Sequence, residues 1–262
     1  MHDDRLREGA VISEIERRTG QADIMPQGFQ YLYFENIDST NKYAKEHSDM
    51  LGAAIIVAED QYEGVGKNSS HWWSSPYNSI LATLVLTVDL NPAETLVYPL
   101  LVGAVIRETL ADCGIDAEVK WPNDIYIGDK KLAGILCETI IENGRVAKLI
   151  IGFGINVNQS KDEMILYNMT SLYGYKGIKY NRCELLADIL IKLFTHMNKS
   201  YEDNMKYMEL EVNTHLYAKG STVLFDSDRR YEGTLAGVGA DGALLLLTDS
   251  GMKTFVSGKI LM

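Results

Sequence analysis

The chain has 262 residues, 46% hydrophobic and 23% charged, the make-up of a soluble globular protein long enough to bury a core. Its 25 Lys and Arg against 36 Asp and Glu leave a net charge of −11, which argues against a sequence-independent grip on nucleic-acid phosphates and against a basic membrane-surface helix. Cys113, Cys137 and Cys183 are far apart with no Cys-x-x-Cys, so neither a disulfide framework nor a zinc ribbon is expected.

The opening MHDDRLREGA is polar and lacks the apolar stretch of a signal peptide. No run approaches the roughly 18 apolar residues of a membrane span, so a cytoplasmic protein is expected. Residues 5–19 read as a short helix. Tyr31 to Phe34 reads as a strand, and Asp38-Ser39-Thr40-Asn41 suits the N-terminus of a second helix. Ala53 to Ala58 and Ile80 to Val88 are apolar runs of strand length, separated by a polar, Gly- and Ser-rich loop over 59–78. A nearly all-apolar helix is expected from Val97 to Cys113, with Pro99 in its first turn and Gly114 just past its end.

Three strands follow, around 117–121, 132–141 and 145–157, the last two joined by Asn143-Gly144, a strong hairpin signal. Residues 158–180 read as irregular. Residues 182–200 carry Leu185, Leu186, Ile189, Leu190, Leu193, Phe194 and Met197 at helical spacing. Beyond His215 short alternating strands recur, over 222–225, 231–235, 243–247 and 253–256, as in a small β-barrel. The expected fold class is α+β, with a mixed sheet and flanking helices. The expected division is an N-terminal helical extension over 1–29, a main domain over 30–214 and a small β domain over 215–262.

Five segments could carry chemistry. Gln61-Tyr-Glu-Gly64-Val65-Gly66-Lys67, running on to Trp72, has two glycines that let backbone approach a ligand, and a lysine to meet an anion. Lys120-Trp121-Pro122-Asn123-Asp124 sets polar groups around one aromatic, with proline holding Trp121 extended. Lys131-Leu-Ala-Gly134-Ile-Leu136 opens an apolar strand with a cation. Gly152-Phe-Gly154-Ile-Asn156 places glycines inside a strand, where they mark a bulge or a close-approaching ligand. Asp38 to Asn41 is the fifth, a helix cap or a polar contact. The five histidines show no ligand spacing, and no metal site is expected.

In order and content these segments resemble the biotin protein ligase family, over about residues 30–262. The tail Gly233-Thr-Leu-Ala-Gly237 to Asp241-Gly242-Ala-Leu244 looks like that family's SH3-like C-terminal domain. The resemblance implies a class II aminoacyl-tRNA synthetase-like catalytic domain and two half-reactions. Biotin and ATP, with Mg²⁺, give biotinyl-5′-AMP, and the biotinyl group then passes to a lysine of a biotin carboxyl carrier protein. It implies catalytic roles for Lys131, Lys120 and Asp124. Biotin would lie against Ser39, Thr40, Asn41, Gln61, Gly64, Val65, Gly66, Lys67, Gly134 and Gly152, and ATP against Lys67, Trp72, Asn123, Lys131 and Asn156.

Repressor members of the family carry a helix-turn-helix, which needs two helices. Only one short helix is legible before Asp38, so a monofunctional ligase without nucleic-acid or membrane partners is expected, as a monomer or weak homodimer. The glycine loop departs from the family's arginine-rich pattern, with Val65 where an arginine is usual. A lipoate-type ligase or transferase of the same fold, and a non-catalytic biotin-binding protein, stay open as alternatives.

Overall fold

A computed structural model describes residues 4–20, 24–67 and 70–261. In chain order the elements are α1 (Glu8–Thr19), β1 (Gln30–Ile37), α2 (Thr40–Glu46), β2 (Ala54–Gln61), β3 (Ser79–Leu90), α3 (Val97–Asp112), β4 (Glu118–Lys120), β5 (Asp124–Ile127), β6 (Lys130–Glu142), β7 (Arg145–Asn156), α4 (Lys161–Met164), α5 (Leu172–Lys176), α6 (Arg182–Met197), α7 (Tyr201–Thr214), β8 (Thr222–Asp226), β9 (Arg230–Val238), β10 (Leu244–Thr248), β11 (Gly251–Phe255) and β12 (Lys259–Leu261). The chain is α+β, as expected. Among the described residues no helix is long and apolar enough to cross a membrane.

The chain divides into two compact units, Met1–Pro92 with Lys130–Asn198, and Ala93–Asp129 with Lys199–Met262. In the first, the strands run in the order β1-β2-β3-β7-β6. β1 and β2 are parallel and the other pairs antiparallel. Local chemistry fixes the joints. Asn143 and Gly144 turn the β6–β7 hairpin at φ 50° and 78°, the positive values a two-residue type I′ turn requires. Ser39 caps α2 by accepting from the Lys42 N–H, and Asn181 caps α6 by accepting from the Cys183 and Glu184 N–H groups. α2 covers one sheet face through Ala44, which packs with Ala54, Ile56, Val85 and Ile150. α6 packs against β3 on the opposite face.

In the second unit, β11-β10-β9-β8-β12 form an antiparallel five-stranded sheet. α3 and α7 are tied by Arg107 to Glu211 and by Tyr207 to Glu108, and β4 and β5 form a hairpin.

The sequence reading missed α7, whose only buried residues are Met208 and Val212, too few for a readable apolar stripe. It also missed β5, β12 and the short helices α4 and α5 inside residues 158–180. The N-terminal helix starts at Glu8 rather than residue 5, and α6 stops at Met197.

Candidate functional site

Side chains alternate across a strand, so register decides what each sheet face presents. On β7, Gly152 and Gly154 share a face. Gly134 of β6 pairs with Gly154, while Leu136 of β6 and Thr83 of β3 pair with Gly152. This is the α2 face. Three glycines thus clear one patch of it, and two side chains occupy the space.

The Trp72 indole lies across Gly134 and Gly154: a Cβ at Gly154 would stand 2.5 Å from Trp72 Cε2, and one at Gly134 3.0 Å from Cζ3. The Asn41 amide sits on Gly152, where a Cβ would stand 2.0 Å from Oδ1. Only glycine fits at these positions while those side chains stay put. Lys131, at the head of β6, holds its ammonium 5.4 Å from the Trp72 ring centroid, a cation–π distance. Trp72 is 7% exposed, and its buried Nε1 has no hydrogen-bond partner among the described residues.

A polar network runs beside this patch. Gln61 Oε1 accepts from the Thr40 backbone N–H at 2.7 Å and from the Thr40 hydroxyl at 3.0 Å. The fully buried Thr83 hydroxyl donates to Thr40 Oγ1 at 2.7 Å and to Asn41 Oδ1 at 2.6 Å. Asn41 Nδ2 donates to the Leu136 carbonyl and to Glu138 Oε2, and Lys45 binds the other Glu138 oxygen. Both ends of the Asn41 amide are therefore engaged within the protein. At the start of α2, the Lys42 ammonium and the Ser39 N–H hold the Asp38 carboxyl below the usual carboxylate range.

The glycine loop folds on itself. Gly66 N–H donates to the Ser70 carbonyl, Trp72 N–H to the Gly64 carbonyl, and Val65 bridges His71. Val65 is 47% exposed. Asn68 and Ser69, part of the predicted phosphate-binding loop, lie outside the described residues. Asn156 is fully buried, accepting from Gln159 Nε2 and donating to Met169 Sδ.

The first unit thus gathers Ser39, Thr40, Asn41, Gln61, Trp72, Lys131, Gly134 and Gly152, with the loop of Gly64, Val65, Gly66 and Lys67 leading into Trp72. Lys120, Asn123 and Asp124 belong to the second unit, at the turn of the β4–β5 hairpin. There the Lys120 ammonium stands 4.6 Å and 4.9 Å from the Tyr126 and Tyr217 ring centroids. Burial, with Asp124 nearby, pushes the Tyr126 hydroxyl up to about 12. Trp121 is core: its Nε1 donates to the Gly242 carbonyl at 2.9 Å and its ring packs against Phe225. Thr83 escaped the sequence reading. Its one signal was a hydroxyl in the middle of an apolar stretch, Ile80 to Leu86.

This sheet face thus combines a glycine-cleared patch, an indole lying on it and a lysine beside the ring. The model of the biotin/lipoate A/B protein ligase family matches residues 33–156. The bifunctional ligase/repressor BirA of Bacillus spizizenii is 33% identical over 267 residues, 97% of this chain and 80% of that protein. The biotin–[acetyl-CoA-carboxylase] ligase of Paracoccus denitrificans is 30% identical over 129 residues, 48% of this chain and 53% of that one. Among solved structures, the Aquifex aeolicus biotin protein ligase in complex with biotin and ATP superposes with TM-score 0.73 at 29% identity, covering 88% of this chain and 97% of that one. The chain belongs to the biotin protein ligase family.

Proposed function

We propose that the chain is an ATP-dependent ligase that converts biotin to biotinyl-5′-AMP and transfers the biotinyl group to a lysine of a carboxylase carrier domain. The observation that carries this is the Lys131 ammonium standing beside an indole seated on a glycine-cleared strand pair. In the first half-reaction an oxygen of the biotin carboxylate bonds to the α-phosphorus of ATP and the bond to pyrophosphate breaks. Two anions must meet, so a fixed cation at the shifting charge lowers the barrier. Lys131 fills that role, with Lys67 a second cation from the loop. In the second, the carrier lysine amine bonds to the acyl carbon, AMP departs and the amine loses a proton.

Gln61 has its oxygen occupied by Thr40, so its NH₂ is the end left to donate to the ureido carbonyl of biotin. Ser39 and Thr40 stand alongside. The Trp72 ring offers a face for adenine, and Asn156 follows Gly154 on the same strand face. The loop over Gly64, Val65, Gly66 and Lys67 would close over the anhydride and shield it from water. Asn41 contributes by shaping the floor above Gly152. Lys120, Asn123 and Asp124 enter through their motif alone, Asp124 as a helper of the incoming amine.

Among the described residues no group of three or more His, Cys, Asp and Glu is placed to hold a metal. Mg²⁺ would come in with ATP, bound through its phosphate oxygens.

The test is mass spectrometry of a biotin carboxyl carrier domain incubated with the protein, ATP, Mg²⁺ and biotin. A mass gain of one biotinyl group on the carrier lysine is expected. Labelling by lipoate in place of biotin, or no pyrophosphate release with either, would overturn the reading.

A further inference from the structure

We infer that Thr83, on β3, is a positioning residue for the biotin-binding end of this site; the inference rests on the ligase reading above. Thr83 sits in the middle of a strand whose first eight residues are all buried, and its backbone pairs with Ile56 on one side and Gly152 on the other. A buried hydroxyl there is costly unless it is bonded. It is bonded to two side chains of the α2 N-terminus, Thr40 and Asn41.

Its single proton is shared between those two acceptors. Thr40 Oγ1, accepting from Thr83, directs its own proton to Gln61 Oε1. The Thr40 backbone N–H, which can only donate, meets the same oxygen. The Thr40 N–H therefore fixes which end of the Gln61 amide faces inward, and the Thr83 hydroxyl holds the Thr40 side chain in place beside it. The oxygen is held, and Nε2 is turned toward Gly64, where a Cβ would stand 3.5 Å from it. A free glutamine side chain can present either end; a pinned one presents NH₂ alone, which suits a urea-type carbonyl. Through Asn41 the same hydroxyl steadies the amide that lies on Gly152. Thr83 thus orders both the donor and the floor of the pocket without itself touching the ligand.

The test compares Thr83→Val, which keeps shape and loses the hydroxyl, with Thr83→Ser, which keeps the hydroxyl and loses a methyl. Steady-state pyrophosphate release is measured at varied biotin and at varied ATP, with thermal unfolding of each protein alongside. Thr83→Val should raise KM for biotin by about five- to tenfold, the scale of one neutral hydrogen bond. KM for ATP and kcat should stay within about twofold. Thr83→Ser should restore the biotin KM even where its unfolding midpoint falls. Equal changes in KM for biotin and ATP, or a Thr83→Val protein with wild-type KM for biotin, would overturn the positioning role. Wild-type protein that releases no pyrophosphate with biotin and ATP would instead overturn the ligase reading.

Discussion

The two faces of the first unit's sheet are built from alternating residues of the same strands and do opposite things. On the α6 face, β7 presents Ile151, Phe153 and Ile155, β6 presents Ala133 and Ile135, and β3 presents Ile80, Ala82 and Leu84, all buried. Glu59 of β2, on the same face, is fully buried and bonded to Arg182 of α6 at 2.7 Å. On the α2 face the same β6–β7 pairing presents Gly134, Gly152 and Gly154, with Thr83 beside them. One face is filled and supplies cohesion. The other has side chains deleted at three positions, and Trp72 and Asn41 from elsewhere in the chain take up the space. The packed core and the proposed site are thus separated by a single residue step along a strand.

Neighbouring residues put that separation to its hardest test. Phe153→Ala should cost about 3–5 kcal/mol of stability, as large-to-small core changes do. Its KM values for biotin and ATP should change little in the fraction that remains folded. Gly154→Ala, one residue on, should do the reverse. Its methyl would stand 2.5 Å from the Trp72 ring, so the indole must shift, and adenylation should fall about tenfold or more for a stability change of about 1–3 kcal/mol. Denaturant unfolding and pyrophosphate release on both variants decide the matter. If Phe153→Ala changes KM as much as Gly154→Ala does, the faces are not functionally separate.

Lys131→Ala sharpens the comparison on the α2 face alone. Losing a cation at a developing phosphate charge should lower adenylation by about 3–4 kcal/mol, if it resembles loss of an oxyanion donor. The fold should survive, because the side chain is only partly buried at a strand end. A folded Lys131→Ala protein that loses only about threefold, roughly 0.6 kcal/mol, would remove Lys131 from the chemistry.

Much of this was legible in the sequence, unevenly. The β6–β7 hairpin was, because Asn143-Gly144 admits few other conformations. α6 was, because seven apolar residues keep its period. The glycines were conspicuous as breaks in apolar strands, yet which face they cleared depends on register, and register is a pairing between distant strands. Thr83 was hidden for the same reason: its partners Thr40 and Asn41 lie some forty residues earlier in the chain. Asn41 read as a ligand contact from its motif, while the fold commits its amide to Thr83, Leu136 and Glu138. α7 was illegible because so little of it is buried.

The smallest expected effect concerns the loop rather than the sheet. The adenylate's phosphate is anionic, and an arginine in the loop would hold it through charge-assisted, often bidentate bonds. Val65 offers no such bond. Backbone N–H groups are the natural substitute, but Gly66 N–H is already donated to the Ser70 carbonyl at 2.7 Å and Trp72 N–H to the Gly64 carbonyl at 2.8 Å. Unless the hairpin opens on binding, those donors are spent, and Lys67 is left as the loop's cation. A bond to a charged group contributes about 1.5–3 kcal/mol against about 0.5–1.5 for a neutral one. Val65→Arg, at a half-exposed position where the longer side chain has room, is therefore expected to add about 1.4 kcal/mol and slow release of preformed biotinyl-5′-AMP about tenfold. Stability should hardly move, since the substitution touches neither sheet face. The measurement is the dissociation rate of the adenylate from wild type and variant in parallel. An unchanged rate would mean that retention is set outside this loop, and the loop would then join the sheet's α6 face as scaffold rather than site.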